Sequence, residues 1–131
     1  LRQEKLIKES LLVDPKTSDY KGKVITELDF SGADYFKALS LIGIFKEYIS
    51  SHPKKSLLIL TDMTGVKVNS RVIDAFKEFT AFNKPYVLAS AVIGLAGPYK
   101  IFLNTVNYFT KRDIKLFSDA ASAKEWLTSH V

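Results

Sequence analysis

Two kinds of hydrophobic run alternate along this chain. Ser56–Leu60 (SLLIL) and Tyr86–Ile93 (YVLASAVI) are short and apolar with almost no polar interruption, the pattern of strands covered on both faces. From Val72 the period changes. Val72, Ile73, Phe76 and Phe79 recur at helical spacing, while Arg71, Asp74, Lys77 and Glu78 take the other positions. This predicts strand, loop and helix in succession, with Asp62, Thr64, Asn69 and Ser70 between strand and helix. In a parallel α/β sheet the carboxyl ends of the strands are where binding chemistry sits, so this loop is the first candidate for function.

The same alternation extends both ways. Lys23–Phe30 (KVITELDF) is bounded by Gly22 and Ser31-Gly32 and reads as a strand. Asp34 or Ser31 can cap the next helix, whose apolar face is Ala38, Leu41, Ile42, Phe45, Tyr48 and Ile49, and His52-Pro53 ends it. The helix begun at Ser70 closes at Asn83-Lys84-Pro85. After Ile93 the segment Gly94-Leu95-Ala96-Gly97-Pro98 turns the chain, and Pro98 suits the first position of a helix. Ile101, Phe102, Thr105, Val106 and Phe109 form its expected inner face, with Lys100, Asn104, Asn107 and Lys111 outside. A short strand, Ile114–Phe117, precedes a last helix capped by Ser118 or Asp119, with Ala123, Trp126 and Leu127 inward.

The order β-α-β-α-β-α-β-α implies one α/β domain over residues 23–131: four βα units, with helices packed on a largely parallel sheet. Residues 1–22 are lysine-rich and read as an N-terminal arm. Its Leu6, Ile7, Leu11 and Leu12 suit either the inner face of a short helix or part of an edge strand, and Asp14-Pro15 suits a turn.

Composition narrows the function classes. A chain of 131 residues, 47% hydrophobic and 25% charged, is of a size and balance to bury one core as a soluble globular domain. No apolar run approaches the about 20 residues of a transmembrane helix, and no signal peptide is visible, although the chain begins at Leu1 rather than Met and an upstream segment is compatible with that. Cysteine is absent, which excludes disulfides, thiolate metal sites and a cysteine nucleophile and fits a cytoplasmic protein. The net charge of +5 comes from basic residues scattered through every segment, with Lys54-Lys55 and Lys111-Arg112 as adjacent pairs. That is a solvated basic surface, without a specific nucleic-acid motif.

The histidines, His52 and His130, lie before a proline and beside the terminus, positions that suit neither a metal ligand nor a general base. Asp29, Asp34 and Asp62 fall near strand ends, where carboxylates more often serve as caps and turn residues than in acid-base work. Gly94, Gly97 and Lys100 suit anion binding, because the glycines permit close backbone approach and a helix start follows. Together with Ser31 and Asp62 they outline a small-ligand site at the strand ends. Ser70, beside Asn69, either caps its helix or offers a place where phosphate would gain from the helix dipole. No catalytic constellation and no cofactor motif stands out, so a non-enzymatic role is expected.

The strand LLILTD, its loop and NSRVIDAF resemble the STAS family of anti-sigma-factor antagonist-like domains, in which a strand and loop lead to a regulatory serine at a helix start. The wider series LDFSG, LLILTDMTG, YVLASAVIGLAG, YFTKR, IKLF and AKEWL is similar to the SpoIIAA-like proteins of the STAS and Sec14-like group, over roughly residues 23–131. The resemblance implies a regulatory module that binds a protein partner around Ser70, with Asn69, Arg71, Thr64 and Asp62 about it. Phosphorylated antagonists carry an acidic residue beside the serine and a glycine after it. This chain has Val68-Asn69-Ser70-Arg71 there, so Ser70 is a positional match. The Sec14-like side implies instead an apolar-ligand or lipid role.

Overall fold

A computed structural model describes residues 15–130. Among the described residues, a five-stranded sheet in the order β1-β2-β3-β4-β5 carries four α-helices. The strands are β1 (Lys16–Tyr20), β2 (Lys23–Asp29), β3 (Leu57–Asp62), β4 (Val87–Ile93) and β5 (Lys115–Phe117). The helices are α1 (Tyr35–Ser50), α2 (Ser70–Asn83), α3 (Lys100–Thr110) and α4 (Ala120–Thr128). From β2 onward each strand is followed by a helix and neighbouring strands are parallel, which gives the four expected βα units. The apolar strands β3 and β4 pair with each other and lie inside the sheet.

Part of the expected N-terminal arm belongs to the sheet. Lys16–Tyr20 pairs antiparallel with β2 through a turn at Lys21-Gly22, both of which have positive φ. Charged and polar residues dominate this strand, as suits a sheet edge. Tyr20 Oη and Lys21 Nζ donate to the two carboxylate oxygens of Glu125 on α4 at 2.8 and 2.7 Å, tying the edge to the helix below. The expectations for Leu6, Ile7, Leu11, Leu12 and Asp14 lie outside the described residues.

Each face of the sheet has its own core. On the first, α1, α2 and α3 cover Leu28, Leu57, Ile59, Val87 and Val92. Phe30, fully buried just past β2, meets Phe45 of α1 and Phe76 of α2 with ring centroids 5.1 Å away in both cases, and Phe76 meets Phe102 of α3 at 5.8 Å. On the second face α4 packs Ala123 and Leu127 against Ile25, Leu58, Leu60, Ala89 and Ala91, and the alanines let the helix lie close.

Several helix starts follow local chemistry. Asp34 accepts from Lys37 N, Asn69 from Val72 N and Asp119 from Ser122 N, so the caps are Asp34, Asn69 and Asp119 rather than Ser31, Ser70 or Ser118. Other expectations are corrected. Ile101 and Phe109 of α3 face solvent, and Leu103 joins Phe102 and Val106 inside. Asn107 faces inward, with its amide exchanging hydrogen bonds with the Ile114 backbone. The physical reason is that α3 packs mainly against α2, so a narrow strip of it finds a surface to cover. Trp126 is half-buried, stacked between Phe117 and His130.

Truncating Phe76 to alanine removes a ring shared by Phe30, Phe79 and Phe102. Urea titration of Phe76→Ala is expected to show a loss of about 3–5 kcal/mol; a loss below about 1 kcal/mol would mean that this cluster does not hold the helices.

Candidate functional site

At the carboxyl ends of β2 and β3 the chain uses one four-residue device twice. Asp29-Phe30-Ser31-Gly32 and Asp62-Met63-Thr64-Gly65 each place an aspartate, a buried apolar residue, a hydroxyl residue and a glycine of φ 69° in succession. Asp29 Oδ1 accepts from Ser31 N at 2.9 Å and Ser31 Oγ at 2.5 Å. Asp62 Oδ1 accepts from Thr64 N at 2.9 Å and Thr64 Oγ1 at 2.6 Å. Each carboxylate thereby turns the backbone out of the sheet while the next side chain stays in the core. Asp29 and Asp62 are paired in register, and the ladder continues past them through Phe30 N to Asp62 O, Gly32 N to Thr64 O and Met63 N to Ile93 O.

Gly94 completes this edge. Its φ is 76°, and a Cβ there would lie 2.0 Å from Thr64 Oγ1 and 2.7 Å from Thr64 N. The glycine therefore admits the β3 loop. Gly97 adjoins open space, and Lys100 is exposed at the start of α3 after a 3-10 turn, Gly97–Tyr99. Ser31 and Asp62 line a cleft of about 380 Å³ with Lys16, Lys37, Glu27 and Asp29. Gly94, Gly97 and Lys100 do not line that cleft, so the ligand-site residues expected from the sequence fall into two groups.

Ser70 is exposed at the first position of α2, directly after the Asn69 cap. Its hydroxyl is not used to start the helix. Thr64 and Arg71 are also exposed, whereas Asp62 is half-buried by its turn. Lys67 N donates to Ala33 O at 3.2 Å, which brings the 64–69 loop beside the first turn of α1, where Phe36 is 82% exposed. On the other side of α2, α3 turns outward a stripe of Ile101, Tyr108 and Phe109, which are 73%, 79% and 66% exposed. Lys77 of α2 lies 4.6 Å from the Phe109 ring centroid, so the stripe borders the outer face of α2. Sequence reasoning placed Ile101 and Phe109 in the core and missed Tyr108. The signal was present as a second apolar series at positions 101, 108 and 109, one helical face apart from Phe102, Leu103 and Val106.

Around this surface Lys67, Arg71, Lys100 and Lys111 are exposed and take part in no ion pair within the described residues. Both described histidines lie back on their own helices, with Nδ1 2.8 Å from Tyr48 O for His52 and 2.8 Å from Trp126 O for His130. Among the described residues no cluster of His, Cys, Asp or Glu is grouped to hold a metal, and no helix is long and apolar enough to cross a membrane.

Comparison with solved structures decides the architecture. A crystal structure from Shewanella loihica PV-4, described as an uncharacterized protein from the DUF3478 family with a SpoIIAA-like fold, superposes with a TM-score of 0.66. The match spans 86% of this chain and 91% of that one at 14% identity. This chain has a SpoIIAA-like fold. No family model matches the sequence, and no curated protein matches it. The SpoIIAA-like arrangement is thus carried by strand order and helix placement with little sequence in common.

In the SpoIIAA-like frame Gly94 is a packing residue. Gly94→Ala is expected to lower stability by about 1–3 kcal/mol, through its left-handed backbone and the collision with Thr64. Gly97→Ala, with open space around it, serves as the control in the same thermal melts, and equal losses for the two would remove the argument.

Proposed function

We propose that this chain is a non-enzymatic STAS-type module that binds an acidic protein surface through the 64–69 loop, the start of α2 and the outward stripe of α3. The observation that carries this reading is the exposure of Ile101, Tyr108 and Phe109 beside a helix edged by Lys67, Arg71, Lys100 and Lys111. Exposed aromatic and aliphatic side chains within a polar rim are the anatomy of an interaction surface. The unpaired basic residues select for a partner of opposite charge by complementarity and steering.

Ser70 gives that surface a point of control. A negative charge at the first position of α2 gains from the helix dipole, and the one carboxylate it faces at i+4, Asp74, is exposed and paired with Lys77, so the fold tolerates it. The same charge faces the acidic partner and opposes docking. A small-ligand role for the strand-end cleft is the second reading, favoured by Lys16 and Lys37 beside Asp29 and Asp62 in one concavity.

The test compares the wild type with Ser70→Asp, Ile101→Asp and, on the opposite face, Ser129→Asp, in affinity capture followed by titration with the purified captured protein. Ser70→Asp is expected to change stability by less than about 1 kcal/mol in thermal melts, the dipole gain being opposed by Asp74 at i+4. Capture should weaken for Ser70→Asp and Ile101→Asp, fall with added salt, and remain unchanged for Ser129→Asp. Equal capture by all variants overturns the proposal. So does flotation of the wild type with anionic phospholipid vesicles that is lost in Ile101→Asp, which would assign the surface to a membrane.

A further inference from the structure

Between the first face of the sheet and helices α2 and α3 lies a cavity of about 50 Å³, several times the roughly 10–15 Å³ that one water needs. Its walls are mainly apolar, with Phe76, Phe102 and Val106 among them. Two polar groups on it lack adequate partners. Asn83, at the end of α2, is 3% exposed; its Oδ1, an acceptor, has no hydrogen-bond partner, and its Nδ2 donates to no group among the described residues. Arg112 is partly buried and donates from one guanidinium nitrogen to Thr80 O at 2.6 Å, with no carboxylate paired to it among the described residues.

The blander account of Arg112 is that it serves the carboxyl end of α2, where carbonyls lack intrahelical partners and the dipole favours a cation. That accounts for one of five N–H donors. Burial pulls the guanidinium pKa down to about 10, the mark of a cation withdrawn from water without a counter-charge, and it remains protonated at neutral pH. Its placement is also fixed beforehand. Lys111 adopts the left-handed conformation at the end of α3, Arg112 N donates to Asn107 O at 3.2 Å, and the Asn107 amide holds Ile114 from both sides. A partly buried cation held in place, an unused amide donor at Asn83 Nδ2 and an apolar void on one surface call for an occupant with a charged end and an apolar end.

We propose that this cavity binds a short-chain monocarboxylate, its carboxylate accepting from the Arg112 guanidinium and Asn83 Nδ2 and its alkyl end among Phe76, Phe102 and Val106. The planar guanidinium fork matches a carboxylate in two parallel hydrogen bonds. The small volume limits the tail to a few carbons, and the apolar lining disfavours inorganic anions, which have no surface to leave there. The site is distinct from the exposed surface around Ser70, and its occupation requires no protein partner.

Sodium propionate is titrated into the full chain at constant ionic strength, balanced with sodium chloride, and followed by heteronuclear NMR and thermal melts. Saturable shifts at the Asn83 side-chain amide and the Arg112 Nε, with a rise in melting temperature, are expected. 1-Propanol and sodium phosphate should bind about tenfold or more weakly, as should propionate to Arg112→Gln, since each loses the charge-assisted bonds or the tail contact. Because Arg112 also supports the end of α2, a second variant, Ser90→Leu, fills the cavity from the sheet with the arginine intact and should likewise prevent binding. Absence of saturable shifts, equal binding of 1-propanol, or undiminished binding by both variants overturns the proposal. Ordered water alone in the cavity of crystals grown with propionate does the same.

Discussion

The buried Phe30 ring is the constraint on which the rest of the first face depends. It lies just past the end of β2, where Phe30 N still donates to Asp62 O, and it meets rings from α1 and α2. Through Phe76 the contact passes on to Phe102 of α3. Edge-to-face contacts of this kind have preferred geometries, so they fix helix positions as well as bury area. The row meets α1 and α2 in mid-helix, at Phe45 and Phe76, and α3 near its start, at Phe102, and so ties the three covering helices together. Because each of these helices begins beyond the carboxyl end of the strand before it, Phe36, Ser70 and Ile101 lie on one side of the molecule.

The duplicated aspartate turns are how the chain reaches that geometry twice. In each, the carboxylate satisfies a backbone N–H and a hydroxyl that would otherwise be free at a strand end, while the following residue remains in the core. The turns pack on each other through the Gly32 N to Thr64 O bond, and Gly94 lets the second turn lie against the end of β4. The result is a stiff rim. Of the candidates read from the sequence, Asp29, Ser31, Asp62 and Gly94 help to build this rim, while Gly97 and Lys100 lie outside it.

Much of this was legible in the sequence where burial on both sides leaves a strong pattern. The apolar runs of β3 and β4 mark inner strands, and Asp34, Asn69 and Asp119 lie at helix starts. Periodicity failed where it assigns a face without knowing what lies opposite. Ile101 and Phe109 fit an apolar stripe as well as Phe102 does, yet α3 packs mainly against α2 and leaves their side uncovered. Trp126 fails for a related reason, since it lies at the margin of α4 over Phe117 rather than at its centre. β1 is polar because it is an edge, and so read as an arm. The carboxylate cavity left no trace in the pattern, because Arg112 resembles half of a surface basic pair until the left-handed turn at Lys111 folds it back toward Thr80.

The cavity and the exposed stripe are opposite sides of the same helix pair. Arg112 bridges from the end of α3 to the last turn of α2, and Phe76 and Phe102 join the pair below. Lys77 and Phe109 join it above. Close-packed interiors transmit displacement because side chains have few alternative positions. A molecule seated between Arg112 and the phenylalanines would therefore act on the spacing of the two helices that carry Ile101, Tyr108 and Phe109. For that to alter partner binding, the ligand must differ in affinity between the two helix spacings, since equal affinity shifts nothing. Arg112 is anchored on α2 by one hydrogen bond while its backbone belongs to the α3 turn, so a carboxylate that draws the guanidinium inward would pull on both helices at once.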